Sequence, residues 1–324
     1  SVSNGLEQSR IVTGANATTH FKHLYPIPAY LIVLNVTNYV LYNQQGGLGT
    51  TASPYFPIVN YIYPEEATSS ISSLAVTPNI INFFESIVGN YPFRTEKYGH
   101  ARAGLNGGME HTTVSFMNSW GRSLIAHEMA HQWFGDMVTC ATWNDIWLNE
   151  GWASYGEYLH RQYVISQASA SDWMTNTHNS ARSATTGSVY VPASGVSNVN
   201  RIFSSSLTYK KGAAVLHMLR NEIDNDSLFF GGVRQYFNTK RHSVATTDEF
   251  RQIMEQYTGA PLADFFQDWV YGEGHPTYDV RWNWRDSVLW VQTSQTASAP
   301  TVTPVFRNKV PLGLVTSGPG QAPT

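Results

Sequence analysis

Apolar and polar positions divide the chain of 324 residues into strand-like ends and a helical middle. Residues 1 to about 45 read as strands. The run Ala29–Leu34 is apolar and β-prone, and Tyr39-Val40-Leu41-Tyr42 continues it, with Pro26 and Pro28 marking an edge or entry. Gly46-Gly47-Leu48-Gly49 is a turn or loop, and Phe56 to Tyr63 alternates loosely, as a strand does. Residues 78–89 carry apolar positions at helical spacing. Thr77 suits the cap there, Pro78 the first turn and Gly89 the position past the end.

Helical spacing then dominates. A buried helix is expected from about Arg122 to Phe134, with Leu124, Ile125, Met129 and Trp133 giving it a broad apolar surface. A second runs from about Leu148 to Val164, with Trp152, Tyr155 and Leu159 at core spacing. Residues 166–200 are rich in Ser, Thr, Asn and Ala and show little period. They read as a long loop with short helical turns that forms a pocket wall. Helices restart at Leu207, Asp226, Thr246 (a capping box with Glu249) and Pro261. Gly272-Glu273-Gly274-His275-Pro276 breaks the pattern, with His275 as a turn residue. Tyr278–Trp284 and Val288–Gln292 alternate like antiparallel strands, and Gly318–Thr324 reads as unstructured. No tandem repeat is evident. The fold class is α+β.

Composition narrows the partners. Hydrophobic residues make up 42% and aromatic residues 13%, enough for a large core, while charged residues are only 13%. Ser, Thr, Asn and Gly fill the surface instead, a weak sign of an extracellular or periplasmic protein, with a cytoplasmic one as the alternative. The formal net charge is −3 and no basic stripe occurs, so no nucleic-acid partner is expected. No apolar run reaches the ~18 residues of a transmembrane segment, and Ser1–Gly5 is not a signal peptide. The single cysteine, Cys140, cannot form an intrachain disulfide and reads as a small buried residue. Nothing in the sequence sets the oligomeric state.

The chemistry concentrates in His127-Glu128-Met129-Ala130-His131. On a helix, His127 and His131 lie one turn apart and face the same way. Two imidazoles so placed can bind one Zn²⁺, and Glu128 beside them can take a proton from a metal-bound water. Taken alone, the motif could equally be two ordinary histidines. A catalytic zinc needs a third protein ligand and an open position. Glu150, in Asn149-Glu150-Gly151-Trp152, supplies that ligand after eighteen intervening residues, enough to finish one helix and begin another. Glu157 lies two turns beyond Glu150 on the same face. It is either an outer partner to the site or an ordinary solvated glutamate.

The combination of this motif with Asn149-Glu150-Gly151-Trp152 resembles the gluzincin metallopeptidases, and specifically the M1 aminopeptidase family. Further stretches agree. Gly107-Gly108-Met109-Glu110-His111 is similar to the family's G-x-M-E-N motif, with His111 where the family usually has Asn. A Gly-rich β-turn with a solvated glutamate is the plain alternative. Tyr209-Lys210-Lys211-Gly212 matches its Y-x-K-G segment. The resemblance covers nearly the whole chain, but its specific motifs lie between Gly107 and Gly212. It implies one Zn²⁺ per chain on His127, His131 and Glu150, Glu128 as general base, and Tyr209 donating to the oxyanion. It also implies that Gly107, Gly108 and Met109 bind the peptide substrate, with Glu110 facing its α-ammonium group.

The same resemblance implies three segments. Residues 1–45 would be the end of an N-terminal β-domain, 46–274 a thermolysin-like catalytic domain (a small mixed sheet followed by a helical lobe), and 275–324 the start of a β-sandwich. The chain then reads as a catalytic fragment with a more open cleft than the family's. A thermolysin-type endopeptidase, an epoxide hydrolase and a non-catalytic binding module are the competing readings. Glu110 speaks against the first, no sequence feature demands the second, and the intact His127, Glu128, His131, Glu150 and Tyr209 speak against the third.

Overall fold

The computed structural model describes residues 1–313; the tail Gly318–Thr324 lies outside them. The chain opens with four strands: β1 (Val2–Ser3), β2 (Leu6–Thr13), β3 (Asn16–Lys22) and β4 (Leu34–Asn35). β2 and β3 form a hairpin, and β1 pairs antiparallel with β4. The run Ala29–Leu34 is not a continuous strand. Ala29–Leu31 is a 3₁₀ turn closed by Leu31 N to Pro28 O (3.1 Å) and Ile32 N to Ala29 O (3.2 Å). Pro28 fixes its own φ, and the turn buries Leu31 completely, so tertiary packing overrides β-propensity here.

The central sheet is mixed and has five strands: β5 (Val40–Gly46), β6 (Phe56–Ile62), β7 (His100–Arg102), β8 (Gly108–Met109) and β9 (Ser115–Met117). Their order is β5-β6-β7-β9-β8, with β6, β7 and β9 parallel and the outer pairs antiparallel. β5 spans residue 45, so this strand belongs to the central sheet and crosses the boundary expected there. β8 is an edge strand. Between β6 and β7 lie α1 (Ala67–Leu74) and α2 (Thr77–Val88). Thr77 is not a cap but a fully buried first residue of α2. Only Ala75 and Val76 separate the two helices, and both keep helical torsions, which leaves no extended residue to cap.

The helical lobe comprises α3 (Arg122–Ala130), α4 (Trp147–His160), α5 (Gln167–Ser183), α6 (Val199–Ile202), α7 (Gly212–Ile223), α8 (Asp226–Lys240), α9 (Thr247–Thr258) and α10 (Ala263–Phe266). Strands β10 (Val138–Cys140) and β11 (Ser243–Ala245) pair parallel within it. α3 stops at Ala130 rather than at Phe134. Residues 131–134 continue in tight turns, and Gly135 then takes a φ of 138°, which suits glycine. The stretch 166–200 is not mainly a loop. α5 runs for 17 residues, capped by the Ser166 hydroxyl, which accepts from Ser169 N, and it buries Ala170, Trp173, Met174 and Thr177. The last of the helices begins at Ala263, two residues after Pro261. The capping box at Thr246 and Glu249 forms as read. β12 (Pro276–Arg285) and β13 (Val288–Ala297) make one hairpin. Among the described residues it is a two-stranded sheet, not a sandwich. No single helix in the described residues is long and apolar enough to cross a membrane.

One core joins the sheet to the lobe. Phe84, Trp133, Trp147, Trp152 and Phe250 are almost wholly buried in it, and Phe134 stacks on Trp152 with ring centroids 4.4 Å apart. α4 lies at its centre and approaches its neighbours at backbone distance. A Cβ at Gly212 would stand 3.1 Å from Gly151 Cα, and one at Gly156 would stand 2.8 Å from Ala130 Cβ. Glycine at these points lets α7 and α3 close on α4.

Gly212→Val is expected to lower stability by about 1–3 kcal/mol, the usual cost of overpacking a filled contact. The urea midpoint measures it, and an unchanged midpoint would show that the α4–α7 contact is not tight.

Candidate functional site

α3 presents His127, its C-cap presents His131 on the same side, and α4 brings Glu150 opposite them. His127 Nε2 and His131 Nε2 are 3.3 Å apart, and Glu150 Oε2 lies 3.4 Å and 3.2 Å from them. The outer ring nitrogens are engaged elsewhere. His127 Nδ1 donates to Glu157 Oε1 (3.2 Å), and His131 Nδ1 donates to the Phe134 carbonyl (3.0 Å). Carboxylate and carbonyl oxygens only accept, so each Nδ1 carries a proton, and each Nε2 is left facing Glu150, free to become a ligand atom when a metal ion displaces its proton. Three electron-rich atoms facing each other at this range repel unless a cation lies among them. Tetrahedral ligands at ~2.0–2.1 Å from a zinc ion stand about 3.3–3.4 Å from one another, so the donor set fits that metal.

The protein's own charges compensate one another in part. Burial pulls the His127 imidazole down, but Glu150 and Glu157 outweigh it and hold it at about 9. His131 behaves alike: burial opposes its charge, while Glu110 and Glu150 push it well above the usual value. Burial would raise Glu150, but the two imidazoles hold it far below an ordinary carboxyl. Burial raises Glu128 to about 7 against the pull of His127 and His131. Burial likewise raises Glu110.

The other residues read from sequence converge here. Glu110, Glu128 and His131 bring their ligand-type atoms within 4.8 Å of one another. Gly107, at φ 77°, turns the chain into edge strand β8. Gly108 lies against Glu128, whose carboxylate carbon would be 2.4 Å from any Cβ there, so a side chain at Gly108 would displace it. Met109 packs against the smaller core beneath the sheet and also borders the second chamber described below. The Tyr209 ring lies nearly parallel to that of His127, centroids 6.0 Å apart. It sits on a π-helical turn, Ser205–Lys211, wider than the α-helix it leads into. Burial, and then the Glu150 carboxylate, push its phenol up strongly, which keeps the hydroxyl protonated and able to donate. His111 does not face the cleft chemistry. Its Nδ1 donates to the Leu31 carbonyl (3.2 Å), tying the opening segment to the motif. Cys140 ends β10 outside the metal cradle and lines a neighbouring chamber.

Two chambers meet at this centre, of about 430 and 640 Å³, sharing Gly108, Glu110, Glu150 and Tyr209 as walls. The first extends along Ser123 and Leu124 at the start of α3. The second extends past Tyr30, Cys140 and Phe203.

Several supporting residues escaped the sequence. Gln132 Nε2 donates to the Glu110 carbonyl (3.2 Å) and to Asp136 Oδ2 (2.8 Å), while its Oε1 accepts from Thr113 N (2.9 Å). Trp173 Nε1 donates to Glu157 Oε2 (3.1 Å). Tyr30 reaches the cleft from the opening segment. Gln132 adjoins the motif and could have been suspected from that. Trp173 lay in a stretch without visible period, and Tyr30 in a presumed strand, so neither gave a signal.

Known proteins resemble this chain in sequence and in fold. The family model described as the Peptidase family M1 domain matches residues 105–269, just over half of the chain. Aminopeptidase A of Gloydius brevicauda is 26% identical over 82% of this chain and 29% of its own length. Aminopeptidase N of Lactococcus lactis subsp. cremoris is 34% identical over 48% of this chain and 19% of its own. The chain thus spans less than a third of these relatives. The crystal structure of an M1 zinc metallopeptidase from Deinococcus radiodurans superposes with a TM-score of 0.66 at 23% identity, covering 80% of this chain and 57% of that one. That likeness speaks to the fold.

Glu157 accepts a hydrogen bond from His127 Nδ1 and stands outside the cluster of His127, His131 and Glu150. Glu157→Ala is expected to weaken zinc affinity about 10–100-fold while leaving a site that still loads at high metal. His127→Ala should abolish high-affinity binding. Chelator competition separates the two, and equal zinc affinity in Glu157→Ala and the native protein would show that Glu157 does not support the ligand.

Proposed function

The chain belongs to peptidase family M1, and from that premise we propose that it is a zinc-dependent aminopeptidase that removes N-terminal residues from peptides. The observation that carries the reading is Glu110, a buried carboxylate at the end of edge strand β8, within reach of the metal cradle. His127, His131 and Glu150 hold one zinc ion. When bound, it supplies Lewis acidity, lowering the pKa of water and polarising the scissile carbonyl.

The chain's own residues do the rest. A substrate backbone pairs along β8, where Gly108 permits close approach. Glu110 takes the free α-ammonium group in a charge-assisted hydrogen bond and so sets the cleavage point one residue in. Glu128 accepts the proton of the attacking water and returns it to the leaving amine, a task for which a buried carboxylate beside the donor set is placed. The Tyr209 hydroxyl donates to the oxygen that becomes negative, which typically contributes a few kcal/mol. The names of the relatives, among them aminopeptidases A and N, support the same substrate class.

Glu128→Gln is expected to retain zinc, because residue 128 is no ligand, and to lose turnover by at least about 10²–10⁴-fold. Metal analysis beside single-turnover rates checks it; a zinc-loaded variant with near-native rates would remove Glu128 from the mechanism.

The amine anchor separates an aminopeptidase from an endopeptidase of similar fold. The native protein should cleave amino-acid arylamides and ignore their N-acetyl forms, because a neutral amide leaves the buried Glu110 unpaired. Glu110→Ala should slow the free-amine substrate and narrow the gap between the two. Tyr209→Phe should slow both without narrowing it. Acetylated and free substrates cleaved alike by the native protein would favour the endopeptidase reading.

A further inference from the structure

Glu110 stands just past the end of its strand. The pairing of β8 with β9 reaches only Met109, opposite Phe116. Beyond it the chain turns through Thr113, at φ 69°, and rejoins the sheet at Ser115. Val114 N closes this turn by donating to the His111 carbonyl (2.9 Å). A carboxylate carried on such a stub is a precise anchor only if something outside the sheet fixes its main chain.

Gln132 supplies that fixing. It is fully buried, in the turn that follows α3. Its amide makes four hydrogen bonds, the full complement of its two N–H donors and two lone pairs. Nε2 donates to the Glu110 carbonyl (3.2 Å) and to Asp136 Oδ2 (2.8 Å). Oε1 accepts from Thr113 N (2.9 Å) and from the Tyr91 hydroxyl (3.2 Å). The orientation of the amide is unambiguous, because rotating it would set acceptor against the Glu110 carbonyl and donor against Thr113 N. One side chain thus grips the main chain at both ends of the turn. Asn4, Gly5 and Lys97 hold Thr112 and Thr113 from the other side, and none of them bonds to Glu110. Among the described residues, no other side chain bonds to the Glu110 carbonyl.

We propose that Gln132 is the positioning residue of the amine anchor: through the Glu110 carbonyl it sets where the Glu110 carboxylate stands relative to His127, His131 and Glu150. The proposal rests on the aminopeptidase reading. Gln132 directly follows His131, so a single turn carries both a member of the donor set and the support of the anchor. The separation of the two decides which peptide bond meets the cleft chemistry. A displacement of about 1 Å at a reacting centre costs on the order of 10²-fold in rate. An amide that only satisfied the core would stabilise the fold and nothing more. An amide that acts through Glu110 has a further signature: its loss costs little once the Glu110 carboxylate is gone.

The test is a double-mutant cycle on the zinc-loaded full chain. Gln132→Leu is unsuitable, because it strips four buried groups of their partner at once. The paired exchange of Gln132→Glu with Asp136→Asn keeps the net charge. Its new carboxylate still accepts from Thr113 N and Tyr91 and takes a hydrogen bond from the new amide at 136, so only the donor to the Glu110 carbonyl is lost. Gln132→Glu alone, which keeps the bonds to Thr113 and Tyr91, is carried through the same cycle as a second variant. The kcat/KM for the amino-acid arylamide that the native chain cleaves best is measured with and without Glu110→Ala. Chelator competition gives zinc affinity, and the urea midpoint checks folding. The exchange should lower kcat/KM roughly ten- to hundredfold, chiefly through KM, with zinc affinity unchanged. On top of Glu110→Ala it should cost almost nothing further, the non-additivity of two residues that act as one. Equal losses in both backgrounds would make Gln132 a structural residue only, and weakened zinc affinity would place its action at His131; either result overturns the proposal alone. A native chain inert towards every arylamide, or a Glu110→Ala variant as active as the native chain, would overturn the aminopeptidase reading and the proposal with it.

Discussion

The structure depends on how closely α4 can approach its neighbours. Glu150 rides on α4, His127 on α3 with His131 at its C-cap, and Tyr209 on the turn that leads into α7. Ligand atoms that must converge within a few tenths of an ångström cannot be carried by helices at ordinary spacing with bulky residues between them. Gly151 against Gly212, and Gly156 against Ala130, remove the side chains at both crossings. Gly151 directly follows Glu150, and Gly212 is three residues after Tyr209. The contact that sets the packing therefore also sets where the carboxylate and the phenol stand.

That closeness creates an electrostatic problem. Glu110, Glu128, Glu150 and Asp136 are buried together around two imidazoles. Burying like charges is costly unless partners or protons compensate. The site distributes the load unequally. Glu150 stays ionised beside the imidazoles, while burial and mutual repulsion lift Glu110, Glu128 and Asp136. Two carboxylates with opposed tendencies a few ångströms apart suit the separate roles of ligand and base proposed for Glu150 and Glu128.

The opening segment solves a third problem, holding a two-residue edge strand in place. Asn4 Nδ2 donates to the carbonyls of Leu31 (3.0 Å) and Thr112 (2.7 Å). Gly5 N donates to Thr113 Oγ1 (2.9 Å), and buried Lys97 bridges Ser3 O (3.1 Å) and Thr113 Oγ1 (3.3 Å). Thr113 sits at φ 69°, a strained place for a β-branched residue, and persists because these contacts and Gln132 over-determine it. His111 adds to the same ties, its Nδ1 donating to the Leu31 carbonyl.

What was legible in the sequence, and what was not, follows from the range of the forces involved. Helical period and capping chemistry are local, so α2, α4, α9 and the α3 motif were readable, as was the side of the helix that His127 and His131 share. The spacing to Glu150 was readable because it carries the chain from one helix to the next, and the fold does bring Glu150 to the two imidazoles. The run Ala29–Leu34 misled, because Pro28 and the burial of Leu31 decide its turn and neither is a strand signal. α5 was hidden for the opposite reason. It buries only a narrow stripe, Ala170, Trp173, Met174 and Thr177, under a surface of Ser, Thr and Asn, so its period is faint although its cap is sound. Its main contribution to the site is made through space: Trp173 holds Glu157, which holds His127, and Lys210 packs over the Trp173 ring at 4.7 Å beside Tyr209. A chain of contacts that runs from a polar helix to His127 exists only once the fold has brought them together.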